Sequence, residues 1–175
     1  MLGVPKSKVR LVEHDEKWTE EFEKTKLTLI NIHGDNIVDI QHVGSTAIKG
    51  IMAKPMLDIA ILFKKITDSV FNAMKKNGYE YYREVVAGHH LFILRGEGEV
   101  SLQHIHCYEE KNLELFDDQI KFRDFIRSHS EYAKEYELLK QELFKIYSND
   151  RNKYTEGKQA FFDKIKQLAD EYSTK

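Results

Sequence analysis

Residues 56–63 (MLDIAILF) form a nearly unbroken apolar run, the mark of a strand covered on both faces. One carboxylate, Asp58, interrupts it. Residues 37–43 (IVDIQHV) alternate apolar and polar positions and read as a second strand. Helical spacing over 16–33 sets Trp18, Phe22, Leu29 and Ile30 on one face, with Asp15 as N-cap and Gly34-Asp35 as the stop. A short strand is expected over 9–13 (VRLVE). Residues 68–76 predict a helix closed by Asn77-Gly78. Three strands follow near 79–86, 90–95 and 100–108, with turns at Gly88 and Gly96-Glu97-Gly98. From 112 onward the periodicity is helical, over 112–127, 131–147 and 151–172, with Ser130 and Asp150 as caps. The pattern therefore predicts one α/β domain over 1–175: a mixed sheet with flanking helices, then a C-terminal helical layer packed on it.

Composition narrows the classes. The chain has 175 residues, 41 % apolar and 32 % charged, which suits a globular domain with a real core. A net charge of −2 and the lack of a basic stripe interleaved with aromatics argue against nucleic acid as the partner. No apolar run approaches the roughly 20 residues of a membrane span. The N-terminal stretch MLGVPKSKVRLVEHDEKW lacks the apolar centre of a signal peptide, so a cytoplasmic location is expected. The single Cys107 excludes an internal disulfide and a multi-cysteine zinc site.

The chemistry concentrates in a few residues. Gly44-Ser45-Thr46 closes a strand, where exposed backbone N–H groups and a hydroxyl can cradle phosphate. Twelve residues separate Ser45 from Asp58, room for a short helix and a return to the adjacent strand. Asp58 then lies beside the turn, where a carboxylate can hold a divalent cation against phosphate. The equally open reading is a turn glycine, a capping serine and an aspartate bonded to backbone. His104 and His106 are two apart on a strand and share a face. With Asp58 they make a two-histidine, one-carboxylate set that suits Zn²⁺, Mn²⁺ or Fe²⁺; the alternative is two solvated or hydrogen-bonded histidines. Lys54 precedes Pro55 and can meet phosphate as a point charge. Tyr154 and Lys158, i and i+4 on a helix, suit an anionic ligand. His42 ends its strand, facing the cleft or bonded to backbone. Of His89 and His90, His90 is the one expected to enter the sheet. Arg123, among Phe122, Phe125 and Ile126, is expected to form an ion pair that anchors helix to sheet.

These residues lie in longer motifs. VGSTAIKGIMAKPMLDI resembles the GrpB family signature, as do LQHIHCY, FRDFIRSHSEYAKEYELLK and NDRNKYTEGKQAFFDKI further on, in order along almost the whole chain. The resemblance implies membership of the nucleotidyltransferase superfamily: a mixed sheet with Gly-Ser after the first strand and acidic metal ligands on the next. It also implies a nucleotide or other small-molecule ligand and a divalent metal (Mg²⁺, Mn²⁺ or Zn²⁺). One departure stands out. The superfamily usually carries Asp-x-Asp or Asp-x-Glu on that second strand, and here position 60 is Ala. One carboxylate cannot easily hold two Mg²⁺ ions. Three activities are therefore expected as alternatives: metal-dependent nucleotidyl transfer from a nucleoside triphosphate to a small acceptor, phosphate binding without turnover, or a different metal-dependent hydrolysis at Asp58, His104 and His106.

Overall fold

The computed structural model of the chain describes residues 2–173. Helix α1 (Lys17–His33) leads into strand β1 (Ile37–Val43), and β2 (Leu57–Phe63) returns beside it. Then come α2 (Asp68–Lys76), the hairpin β3 (Tyr79–Val86) and β4 (His89–Arg95), and β5 (Ser101–Glu109). Helices α3 (Leu113–Ser128), α4 (Ser130–Tyr147), α5 (Arg151–Glu156) and α6 (Gln159–Ser173) follow. The sheet order is β1-β2-β5-β4-β3, with β2 and β5 parallel and every other pair antiparallel. This is the expected mixed sheet with helices on its faces and a helical layer at the end.

Strand alternation assigns the two faces. Leu57, Ile59, Ile61 and Phe63 of β2 join Trp18, Phe22 and Leu29 of α1 and Val70 and Met74 of α2 in the main core. The opposite face carries Asp58, then Ala60 and Leu62, which pack with Val43, Tyr108 and Phe116 under α3. The run 57–63 is apolar but for Asp58 because β2 is central and covered on both sides, and Asp58 is the one position of the strand left partly exposed. A third cluster joins Ile48 and Ile51 of the β1–β2 connection to Phe125, Ile126, Tyr136, Phe161 and Ile165, which ties the helical layer to the sheet. Among the described residues, no helix is long and apolar enough to cross a membrane.

Four local expectations are corrected. Residues 9–13 do not form a strand; Val12 makes a single bridge to Ala53, and Val9 donates its N–H to Ser148. Ile30 is 39 % exposed, while Thr25 takes the inner position and bonds Gln103. Ser130 opens α4 without a side-chain capping bond, its preceding residue His129 being the N-cap. The helix expected over 151–172 is two: α5 ends at Gly157, whose missing Cβ leaves room for Leu143. Asp150 does cap α5, accepting the Lys153 N–H at 3.1 Å.

Candidate metal and anion site

The site begins at the tip of β1. Gly44 adopts φ +68°, a region L side chains rarely enter, and a Cβ there would stand 2.5 Å from Asp58 Oδ2. The glycine thus lets the turn backbone lie directly against the carboxylate. The antiparallel register puts Val43 opposite Asp58, and the parallel register puts Asp58 opposite His104 and Ala60 opposite His106. All three polar side chains emerge on one face. His104 Nδ1 lies 3.6 Å and His106 Nε2 3.5 Å from Asp58 Oδ1. The three candidate ligand atoms fall within 4.8 Å of one another.

These separations fit one ion. Donors about 2.0–2.2 Å from a tetrahedral cation stand about 3.4 Å apart. The side chains keep 26 % exposure at Asp58 and 16 % at each histidine, so an ion can enter. Protonation states agree with ligation. Burial works to raise the Asp58 pKa, but the hydrogen bond from His106 and the electrostatic influence of His104, His106 and Lys54 outweigh it and hold the carboxyl well below its ordinary range. Burial lowers His104 to about 3 against the pull of Asp58, which leaves a neutral imidazole.

Three basic side chains, Lys54, Lys158 and Arg151, interact electrostatically with Asp58. The Nζ atoms of Lys54 and Lys158 lie 5.5 and 5.3 Å from the centroid of the buried Tyr154 ring. Burial, then the charges of Lys158 and Arg151, lowers Lys54 to about 7 despite Asp58. Burial lowers Lys158 to about 8. Arg151 reaches His104 Nε2 at 3.3 Å and Ser101 Oγ at 3.3 Å, both weak partners for a guanidinium. Lys140, 1 % exposed, donates to the Met52 carbonyl and sits 4.6 Å from the Tyr136 centroid. Burial brings it to about 7, with Lys158 pushing the same way. Cations gathered around one carboxylate favour an anionic ligand.

Several sequence candidates stand elsewhere. His42 pairs across from Ile59 and so faces the main core, stacked on Phe22 at 5.0 Å and bonded to Thr46 Oγ1 at 3.0 Å. Burial lowers His42 to about 4. Both His42 and Thr46 support the turn from beneath rather than lining the cleft. Ser45 Oγ meets the Tyr136 hydroxyl at 3.1 Å, which links the turn to α4. His89, not His90, joins the site: its Nε2 lies 2.8 Å from His106 Nδ1. The register of β4 on β5 sets Leu91 opposite His106 and His90 opposite Cys107, so His89 shares the face of His106 and His90 takes the other. His90 instead packs near Phe71 and Tyr81. Arg123 pairs with Asp124 and donates to Gln41 and the His42 carbonyl, the anchoring role expected of it.

The GrpB family profile, described as GrpB protein, matches residues 8–168. The chain belongs to the GrpB family. It is 39 % identical over 170 residues to the Glutamate-rich protein GrpB of Alkalihalophilus pseudofirmus, covering 94 % of this chain and 98 % of that one. It is 36 % identical to the UPF0157 protein YqkA of Bacillus subtilis over 88 % of its own length, but spans only 45 % of YqkA. The solved structure of GrpB from Enterococcus faecalis superposes with a TM-score of 0.85 at 26 % identity, covering 95 % of this chain and all of that one. Arg151 and Lys140 lie inside the motifs that carry the GrpB resemblance, at the start of DRNKY and the end of YELLK. Motif position was the signal that could have found them. His89 had no such signal, because the register of β4 on β5, which joins positions far apart in the chain, decides which face it shares.

Proposed function

We propose that the site holds one divalent cation on Asp58, His104 and His106, with a phosphorylated small molecule beside it, in the first place a nucleoside triphosphate. Nucleotidyl transfer to a small acceptor is the reaction we assign. The convergence of one ionised carboxylate and two imidazoles on a single position, facing Lys54, Lys158 and Arg151, carries this reading. The cation would polarise a phosphoryl oxygen as a Lewis acid. The basic side chains would take the remaining phosphate charge, and the Gly44 turn brings backbone up to the same place.

A second reading, hydrolysis of a phosphorylated or amide substrate on a single cation, is favoured by position 60. Ala60 is fully buried beneath Tyr108 and Phe116, so the place of a second metal-binding acid is filled by packing. One experiment separates the readings. Protein purified without chelator is analysed for Zn, Mn and Fe, then titrated with ATP, CTP, GTP and UTP in the presence of Mg²⁺, Mn²⁺ or Zn²⁺. Nucleotide binding that needs the cation and is lost in Asp58→Ala supports the site. Transfer products with a small acceptor support the first reading, and release of phosphate or amide hydrolysis supports the second. No bound metal and no heat with any nucleotide would sink both.

A further inference from the structure

We infer that His89 is the positioning residue of the cation centre, a role resting on the proposed metal reading of Asp58, His104 and His106. A histidine ligand binds a cation through one ring nitrogen, and the partner of the other nitrogen fixes the ring's tautomer and orientation. His106 presents Nε2 to Asp58, so its Nδ1 must find a partner behind the site. That partner is His89 Nε2 at 2.8 Å.

His89 is itself held from three directions. Its ring stacks on Tyr108 at 4.6 Å with planes 30° apart, and the Tyr108 hydroxyl lies 3.3 Å from the same Nε2. Tyr108 is fully buried and packs edge-on against Phe116 of α3. The turn before His89 is closed by Gly88, at φ +82°, whose N–H donates to the Glu84 carboxylate at 2.8 Å. A line of contacts therefore runs from α3 through Tyr108 and His89 to His106 and ends at the cation position.

An imidazole suits this place because it can both donate and accept. Without a cation, His106 Nε2–H donates to the Asp58 carboxylate, and His106 Nδ1 accepts from His89. With the cation, His106 Nε2 gives its lone pair to the ion. The ring proton then sits on Nδ1 and is donated to His89 Nε2, whose own proton sits on Nδ1. No atom is gained or lost; each ring changes tautomer.

The test uses Zn²⁺ in competition with a chromophoric chelator, together with long-range ¹⁵N–¹H spectra of the histidine rings. His89→Ala should weaken Zn²⁺ binding about tenfold to a hundredfold. His89→Gln, whose amide oxygen can accept the His106 Nδ1–H, should recover most of that loss. Zn²⁺-loaded wild type should show His106 protonated at Nδ1 and zinc-bound at Nε2. Wild-type affinity in His89→Ala, loss in His89→Gln as large as in His89→Ala, or ligation through His106 Nδ1 would each overturn the inference and leave the metal centre standing. Failure of the wild type to bind Zn²⁺ would instead remove the metal centre, and this role with it.

Discussion

Gly44 shapes the site by leaving room, and Lys140 shapes how stability depends on pH. Gly44 carries no side chain, and that alone allows the turn to press against Asp58. Gly44→Ala would combine a left-handed backbone angle with a Cβ 2.5 Å from a carboxylate oxygen. A loss of at least about 1–2 kcal/mol is expected from the backbone alone. Urea denaturation measures it, and weaker metal binding should accompany it as Asp58 is displaced. Lys140 is a buried amine against an aromatic ring and a backbone carbonyl. Its folded pKa is about 7, whereas an unfolded lysine titrates near its ordinary 10.5. Between these values the unfolded chain holds the proton and the folded protein does not. Stability should therefore rise from pH 7 toward 10.5 and be lost as pH falls through 7. Lys54 and Lys158 act with the same sign. Melting temperature recorded across this range should show that slope, and Lys140→Met should flatten it.

The elements meet the site at their ends. β1 and β2 bring the glycine turn and the carboxylate together, β5 adds the two imidazoles, and the α5–α6 junction adds Arg151, Tyr154 and Lys158. The junction depends on Gly157, which has ordinary helical angles and so is constrained by space alone. A Cβ there would run into Leu143 of α4. Gly157→Ala should cost about 1–3 kcal/mol by overpacking, and should weaken binding of pyrophosphate because Lys158 is its neighbour. Equilibrium unfolding and calorimetry check the two effects. Ala60 illustrates the same dependence on packing. Ala60→Asp would add a second acid on the same strand face as Asp58, yet it would place a carboxylate beneath Phe116 and Tyr108. The expected outcome is a lowered melting temperature without a second bound metal, because an unpaired buried charge is costly. Metal stoichiometry and a thermal melt decide it.

At the scale of the molecule, the site lies where the sheet and the helical layer face each other. Lys54 and Asp58 come from the sheet side, and Lys140, Arg151 and Lys158 from the helices. An anionic ligand that touches both layers should stabilise the whole chain by mass action. Pyrophosphate with Mn²⁺ is expected to raise the melting temperature and to slow amide exchange in β5 and at the start of α5 together. Protection confined to one layer would mean that the ligand does not bridge them.

The order of elements, the central strand buried on both faces and the shared face of His104 and His106 were all readable from the chain. Each follows from a local period: two residues along a strand, 3.6 along a helix, with glycine at the breaks. Where strands lie relative to one another is not a local property. The parallel register of β2 and β5 brought Asp58 level with His104. The pairing of β4 with β5 put His89 on the face of His106, and the pairing of β1 with β2 sent His42 to the other face. Gly157 split one helical pattern into two because Leu143, fourteen positions earlier, occupies the space beside it. The sequence alone determined which residues can take part in the chemistry. The tertiary structure decided which of them meet, because the contacts that bring them together join positions far apart in the chain.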